Sequence, residues 1–447
     1  MDGDGHRLVT TRSPGGRPEV FRYHRQAMAL RRLDLRGRAA DRRTLRRELP
    51  APADVQDRSA VEVADIIAEV RRDGDAALRR LTRVFDGAEV DELRVPESEC
   101  KAALQRIPAP LRDALEVAHD RIAAYHGHEA PVPVAEYQSG GITVRHLVRP
   151  VGRAGCYAPG GRARYPSTVL MTATPARVAG VGEVVLCVPP GPDGRVDDAS
   201  LAAAVLAGVD EVYRVGGAQA IAAMAYGTET IEPVDVIVGP GNRYVAEAKR
   251  QVSGTVGVAS AFAGPSEVVV VADATTPTDL CAIDLLVQAE HGPDGLAWLI
   301  TWSEEKAAAV DEAVARLVAD SPRRADLEAT LAAGGYAVVV DGPEQAAAVI
   351  DVVAPEHLEL LIHESDAELF VEAVSSAGAI FVGPSSPASV GDYLAGPNHV
   401  LPTNRTARFA SALRVDDFRR HSHAVIVEPR ALEELGPHVV ALAEAEG

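Results

Sequence analysis

An α/β fold wound as two parallel β/α blocks behind a helical N-terminal segment is what this chain predicts, on two observations. Short β-branched runs alternate with Ala-rich stretches of helical period over residues 151–272, and the alternation resumes over residues 277–382. Such alternation winds a parallel sheet, because each crossover helix carries the chain back to the edge it left. Taken in order, residues 1–27 are rich in Gly, Arg, Asp and Pro without a hydrophobic period, which predicts disorder. Met28 makes a sensible start, and the acidic residues before it count against a transit peptide. Helical spacing of Val63, Ile66, Ile67, Val70, Leu78, Leu81 and Phe85 predicts an amphipathic helix over residues 59–85, with a second over 98–125. Buried strands are expected at 184–188, 211–213, 234–238 and 267–271, then near 298–301, 337–340 and 379–382. Two comparable blocks suggest a duplication, although they do not align by eye. Beyond Leu401 the pattern thins into a tail whose last residues, 439–447, read as helix.

A chain of 447 residues, 47% hydrophobic, is long enough for two or three domains with full cores. Its formal charge of −19 argues against nucleic acid as a partner, since phosphate binding needs a basic face. Cys100, Cys156, Cys187 and Cys281 lie far apart with no CxxC spacing, which indicates a reducing compartment rather than a disulfide framework. No apolar run is long enough to span a bilayer and no secretory leader is present, so the expected location is the cytoplasm, without a membrane anchor.

Three glycine-bearing stretches, Gly155-Cys156-Tyr157-Ala158-Pro159-Gly160-Gly161, Val215-Gly216-Gly217-Ala218-Gln219 and Val238-Gly239-Pro240-Gly241-Asn242, are expected to follow strands, where backbone can approach a phosphate closely. Glycine and proline also simply punctuate turns. A GxGxxG fingerprint is absent, because Gly180-Val181-Gly182 is too short. Two acidic-histidine clusters carry the chemistry: Gln288-Ala289-Glu290-His291 and Glu356-His357, followed by Gly391-Asp392 and Asn398-His399. A three-residue separation sets Gln288 and His291 on one helix face, where an amide oxygen and an imidazole can reach one zinc ion with Asp392. The same residues can equally cap a helix or close a turn. Glu356 and His357 precede the apolar Leu358, Leu360 and Leu361, so burial is expected to lift the Glu pKa and lower that of the His, leaving a proton acceptor at neutral pH. Cys156 could form a thiohemiacetal, or serve as a small buried hydrophobe.

The runs Gly216-Gly217-Ala218-Gln219-Ala220, Gly239-Pro240-Gly241-Asn242, Ala263-Gly264-Pro265-Ser266-Glu267, Gln288-Ala289-Glu290-His291, Pro355-Glu356-His357-Leu358 and Asn398-His399-Val400-Leu401-Pro402-Thr403 together resemble the histidinol dehydrogenases, in family order from Met28 to Gly447. The resemblance implies a zinc-dependent cytoplasmic homodimer that oxidises L-histidinol to L-histidine through L-histidinaldehyde with two NAD in succession. It implies Gln288, His291 and Asp392 as zinc ligands that also meet the substrate, and Glu356 and His357 as the catalytic pair. Ser266, His357, His399 and Glu446 would touch the substrate, and Tyr157, Gln219 and Asn242 the NAD. Two incomplete Rossmann-like domains are implied, one of residues 28–150 plus 267–408 carrying the zinc and Glu-His residues, the other of 151–266 carrying the NAD loops, with a dimerisation tail over 409–447.

One departure stands out. The family's last helix runs on to a histidine that completes the zinc shell, and this chain ends at Gly447 before it. His421 and His423 lie upstream and do not match that position, which leaves a truncated tail or a zinc held by three protein ligands plus water; an end inside a helix, with its carbonyls uncapped, favours truncation. Two other readings remain: a dehydrogenase of another small alcohol on the same scaffold, and a non-catalytic paralogue that binds NAD or an imidazole ligand. A zinc hydrolase is the least favoured reading, because nothing like HExxH is present and hydrolysis would not need the dinucleotide loops.

Overall fold

Val268 to Val271 are all buried, and a strand shielded on both faces needs helices on both sides of its sheet. The computed structural model describes residues 29–50, 59–129, 136–160, 164–259, 266–290 and 295–447, so residues 1–27 and His291 lie outside the described residues. The first sheet has six strands in the order Arg31–Asp34, Gly335–Val339, Leu296–Thr301, Glu267–Ala272, His357–Leu361, Ala379–Val382, all parallel. The second also has six: Arg94–Val95, Glu211–Tyr213, Glu183–Cys187, Arg153–Tyr157, Val236–Val238, Gly257–Val258, parallel except for the first pair. Numbered within each block, both sheets run 3-2-1-4-5 with an extra N-terminal strand at the outer edge. The two blocks therefore share one strand order, although their sequences do not align.

The packing divides the chain differently from the sequence expectation. Helices Ser59–Asp86, Glu97–Arg106 and Ala109–His128, expected with the first sheet, cover the second instead. The apolar stripe of Ser59–Asp86 packs with helix Gly217–Tyr226, while Ile107, Leu115 and Ile122 join the opposite face. Val400, expected with the first domain, and Leu413, Val415 and Phe418, expected in the tail, also enter that second core. The helix expected over 98–125 is two, because Pro108 follows Ile107 and cannot continue an α-helix. A third sheet of three antiparallel strands, Arg419–Val427, Ile142–Pro150 and Tyr137–Ser139, pairs the start of the tail with the segment entering the second domain. The tail ends in helix Pro429–Glu446, whose buried contribution is Ala431 alone. Among the described residues no helix is long and apolar enough to cross a membrane.

Candidate active site

Glu356 and His357 stand at the amino end of a central strand of the first sheet. Helix Pro343–Val353 stops at Ala354, held in the left-handed region (φ 49°), and Pro355, which has no N–H to donate, cannot continue the helix before strand His357–Leu361. A non-glycine residue there costs about 1 kcal/mol or more, which tertiary packing has to offset. The neighbouring strand begins at Glu267, whose backbone N–H donates to Glu356 Oε2 at 3.2 Å, and the Ser266 side chain hydrogen-bonds the same carboxyl. His357 Nδ1 lies 3.9 Å from Glu356 Oε2 and its Nε2 3.6 Å from Asp392 Oδ1. Its ring stacks on Phe381 with centroids 5.9 Å apart. Glu356 and His357 are both buried, and neither His357 nitrogen has a hydrogen-bond partner among the described residues.

Burial pushes the Glu356 pKa up, as the sequence predicts. His357 goes the other way from expectation: burial pulls its pKa down, but the Glu356 and Asp392 carboxylates outweigh burial and leave it raised. The missing information was Asp392, which only the fold brings beside the imidazole.

Asp392 is not on a loop but inside the short helix Ala388–Tyr393. That helix approaches so closely that a Cβ on Gly391 would stand 2.2 Å from the Phe381 ring, so glycine is required where the helix passes the strand. Asp392 also offers its backbone oxygen to His399 Nδ1 at 2.7 Å, while His399 Nε2 lies 3.5 Å from Thr168 Oγ1. Gln288 occupies the last turn of helix Thr278–Ala289, buried, with its Nε2 lacking a partner among the described residues. No three His, Cys, Asp or Glu side chains among the described residues stand where one metal ion could join them. The set Gln288, His291 and Asp392 is of another kind, since it draws on an amide oxygen and on His291, which lies outside the described residues. Glu446 is exposed on the last turn of the tail helix.

The nucleotide candidates gather at the carboxyl edge of the second sheet. Gly155, Cys156 and Tyr157 lie within strand Arg153–Tyr157 rather than in a loop, and burial pushes the Cys156 thiol up to about 12, which removes it as a nucleophile. Tyr157 is buried, and its hydroxyl accepts from Gly217 N at 3.1 Å. Gln219 is 1% exposed with both amide atoms unpartnered among the described residues, a costly arrangement unless a ligand completes it. Gly239 sits at φ 108°, and a Cβ there would stand 2.0 Å from the Tyr157 carbonyl oxygen. Asn242 caps helix Arg243–Val252, its Oδ1 accepting from Tyr244 N at 3.0 Å and Val245 N at 3.1 Å. The amino edge of one sheet thus faces the carboxyl edge of the other, joined where His399 meets Thr168.

A profile of the family described as histidinol dehydrogenase matches residues 50–447. The chain belongs to the histidinol dehydrogenase family. It is 49% identical over 406 residues to the histidinol dehydrogenase of Parasynechococcus marenigrum, covering 91% of each chain. Against the histidinol dehydrogenase of Synechococcus sp. it is 49% identical over 387 residues, covering 86% of this chain and 88% of the relative. The crystal structure of histidinol dehydrogenase from Elizabethkingia anophelis superposes with a TM-score of 0.87 at 33% identity, covering 94% of this chain and 96% of the other. Membership in the histidinol dehydrogenase family makes the chain an oxidoreductase of histidine biosynthesis. Two neighbours of the Glu-His pair escaped the sequence reading. Glu267 is buried with its pKa raised to about 8 by desolvation and by Glu356, and it stands in the quoted Gly264-Pro265-Ser266-Glu267 run, where a charge opening an all-valine strand was a usable signal. Phe381 carried no signal, since an aromatic residue in a strand reads as core.

Proposed function

We propose that this protein oxidises L-histidinol to L-histidine through L-histidinaldehyde in two successive hydride transfers, with Glu356 and His357 as the acid/base pair. The buried His357 ring, flanked by two carboxylates and with neither nitrogen hydrogen-bonded among the described residues, carries this reading. His357 takes the hydroxyl proton as hydride leaves the carbinol carbon. Glu356, held by Glu267 N and the Ser266 side chain, takes a proton from the water that adds to the aldehyde; the hydrate then gives up the second hydride. His399 and Ser266 meet the substrate at the junction of the two sheets.

The donor chemistry fits zinc: Gln288, His291 and Asp392 would supply an amide oxygen, an imidazole and a carboxylate, with Gln288 already buried and its amide incompletely partnered. When bound, zinc supplies a fixed positive anchor for the substrate's amine and imidazole. With Asp392 committed to a cation, its pull on His357 weakens and the imidazole returns towards its proton-accepting form. The Gln219 amide, unpartnered among the described residues, Tyr157 and Asn242 fit the NAD reading, and that cofactor supplies the hydride acceptor. We also read the protein as a cytoplasmic homodimer, with the exposed apolar residues of the tail covered by a second copy and Glu446 acting in the partner's site. NADH formation from L-histidinol, followed with protein stripped of metal and restored with zinc, tests the scheme. Turnover should vanish and return, and a zinc-loaded protein that makes no NADH would overturn it.

A further inference from the structure

The segment carrying His399 is held from behind by buried side chains that the reaction scheme does not use. His126 lies fully buried in the last turn of helix Ala109–His128, its Nδ1 2.7 Å from Glu129 Oε2 and its Nε2 3.4 Å from Asn398 Nδ2. The Asn398 amide has one sensible orientation, because its Oδ1 accepts from Val400 N at 2.9 Å and its Nδ2 donates to the Met171 carbonyl at 2.6 Å. His126 Nε2 therefore faces a donor and must accept, which puts the ring proton on Nδ1, donating to Glu129. Glu129 is fixed in turn by Arg414 Nε at 3.2 Å and Val415 N at 3.3 Å. Burial pushes the His126 pKa down, against the pull of Glu129 and with the repulsion of Arg414, which agrees with a neutral ring.

The far end of this chain is one residue from the substrate junction. Met171 and Thr168 are three apart on helix Pro166–Ala179, so Asn398 grips the helix face that His399 also meets through Thr168. We propose that Glu129, His126 and Asn398 are positioning residues that set the His399 ring between the Asp392 carbonyl and the Thr168 hydroxyl, and so govern affinity for the alcohol substrate without touching it. The proposal rests on the reading of His399 as a substrate contact. A misoriented Asn398 would free residues 398–400 from the helix and move that ring, while the Glu356-His357 pair and the glycine loops of the second sheet would stay in place.

Steady-state kinetics on the full-length zinc-loaded protein test it. His126→Leu keeps the bulk and deletes both hydrogen bonds; His126→Gln restores an oxygen acceptor near the Nε2 position. The first should raise KM for L-histidinol by about tenfold, with kcat and KM for NAD changing by less than about twofold, and the second should recover most of the loss. His399→Asn should raise the same KM, and combining it with His126→Leu should add little, because one act of positioning is removed twice. An unchanged KM in His126→Leu beside a raised KM in His399→Asn overturns the proposal alone, as does the absence of recovery in His126→Gln. An unchanged KM in His399→Asn overturns the substrate reading beneath it. Independently of any variant, nitrogen NMR of the wild-type imidazoles should show His126 as the neutral Nδ1–H tautomer, and an Nε2–H tautomer or an imidazolium at neutral pH overturns the chain.

Discussion

His357 meets carboxylates on both sides and a phenyl ring on one face, so what it can do is decided by charge and contact together. His357→Gln keeps a polar side chain of similar reach but holds no transferable proton near neutral pH. Its kcat for L-histidinol should fall by about 10²–10⁴, the usual span for losing a general base, while circular dichroism shows an unchanged fold. Glu267 lends itself to a stability measurement. Its folded pKa of about 8 stands above its ordinary value of 4.5, so between those limits the unfolded chain releases a proton that the folded protein keeps. This residue's contribution is therefore most favourable below pH 4.5 and is lost as pH rises to about 8. Glu267→Gln should flatten that part of the melting-temperature profile of the metal-free protein, and an unaltered slope would show that the carboxyl is ionised in the fold. Glu356 and His357 stood out as a candidate pair by residue type and apolar neighbours, whereas Gln219 entered as a candidate only through the family resemblance. The upward shift of His357 was not legible, since Asp392, which adds to the pull of Glu356, lies on another element.

Helix Ala388–Tyr393 is six residues long, and contact with strand Ala379–Val382 places it. Gly391→Ala should cost about 1–3 kcal/mol by overpacking against Phe381, lower zinc retention by displacing Asp392, and be relieved by adding Phe381→Leu. Melting temperature and bound zinc per chain measure both effects, and a fully stable, zinc-replete single variant would contradict the close approach. Elements showed through the sequence where local chemistry suffices: Glu267–Ala272 is an unbroken β-branched run, and Ser59–Asp86 keeps its apolar stripe across the break at Gly74. Strands Ile142–Pro150 and Arg419–Val427 were hidden because each is stabilised mainly by the other, and neither alternates strongly on its own.

The tail leaves Val425, Val439, Val440 and Leu442 at 55%, 60%, 55% and 67% exposure, an apolar surface that suits association of two copies. Val439→Glu combined with Leu442→Glu should convert a dimer to a monomer in sedimentation experiments with little change in chain stability, since both side chains are already in solvent. If the wild type sediments as a monomer, the dimer reading falls.

At the scale of the whole chain, the sequence by itself determined the two β/α windings, the strands rich in valine and isoleucine, and the residue types able to perform proton transfer and ligation. These follow from side-chain period and local chemistry, which need no partner. Only the tertiary structure decided that the three helices between residues 59 and 128 cover the second sheet, that Asp392 lies beside His357, and that the amino edge of one sheet meets the carboxyl edge of the other. Those outcomes depend on contacts between residues remote in sequence, where burial and charge act through distance in space and leave no trace in the order of the residues.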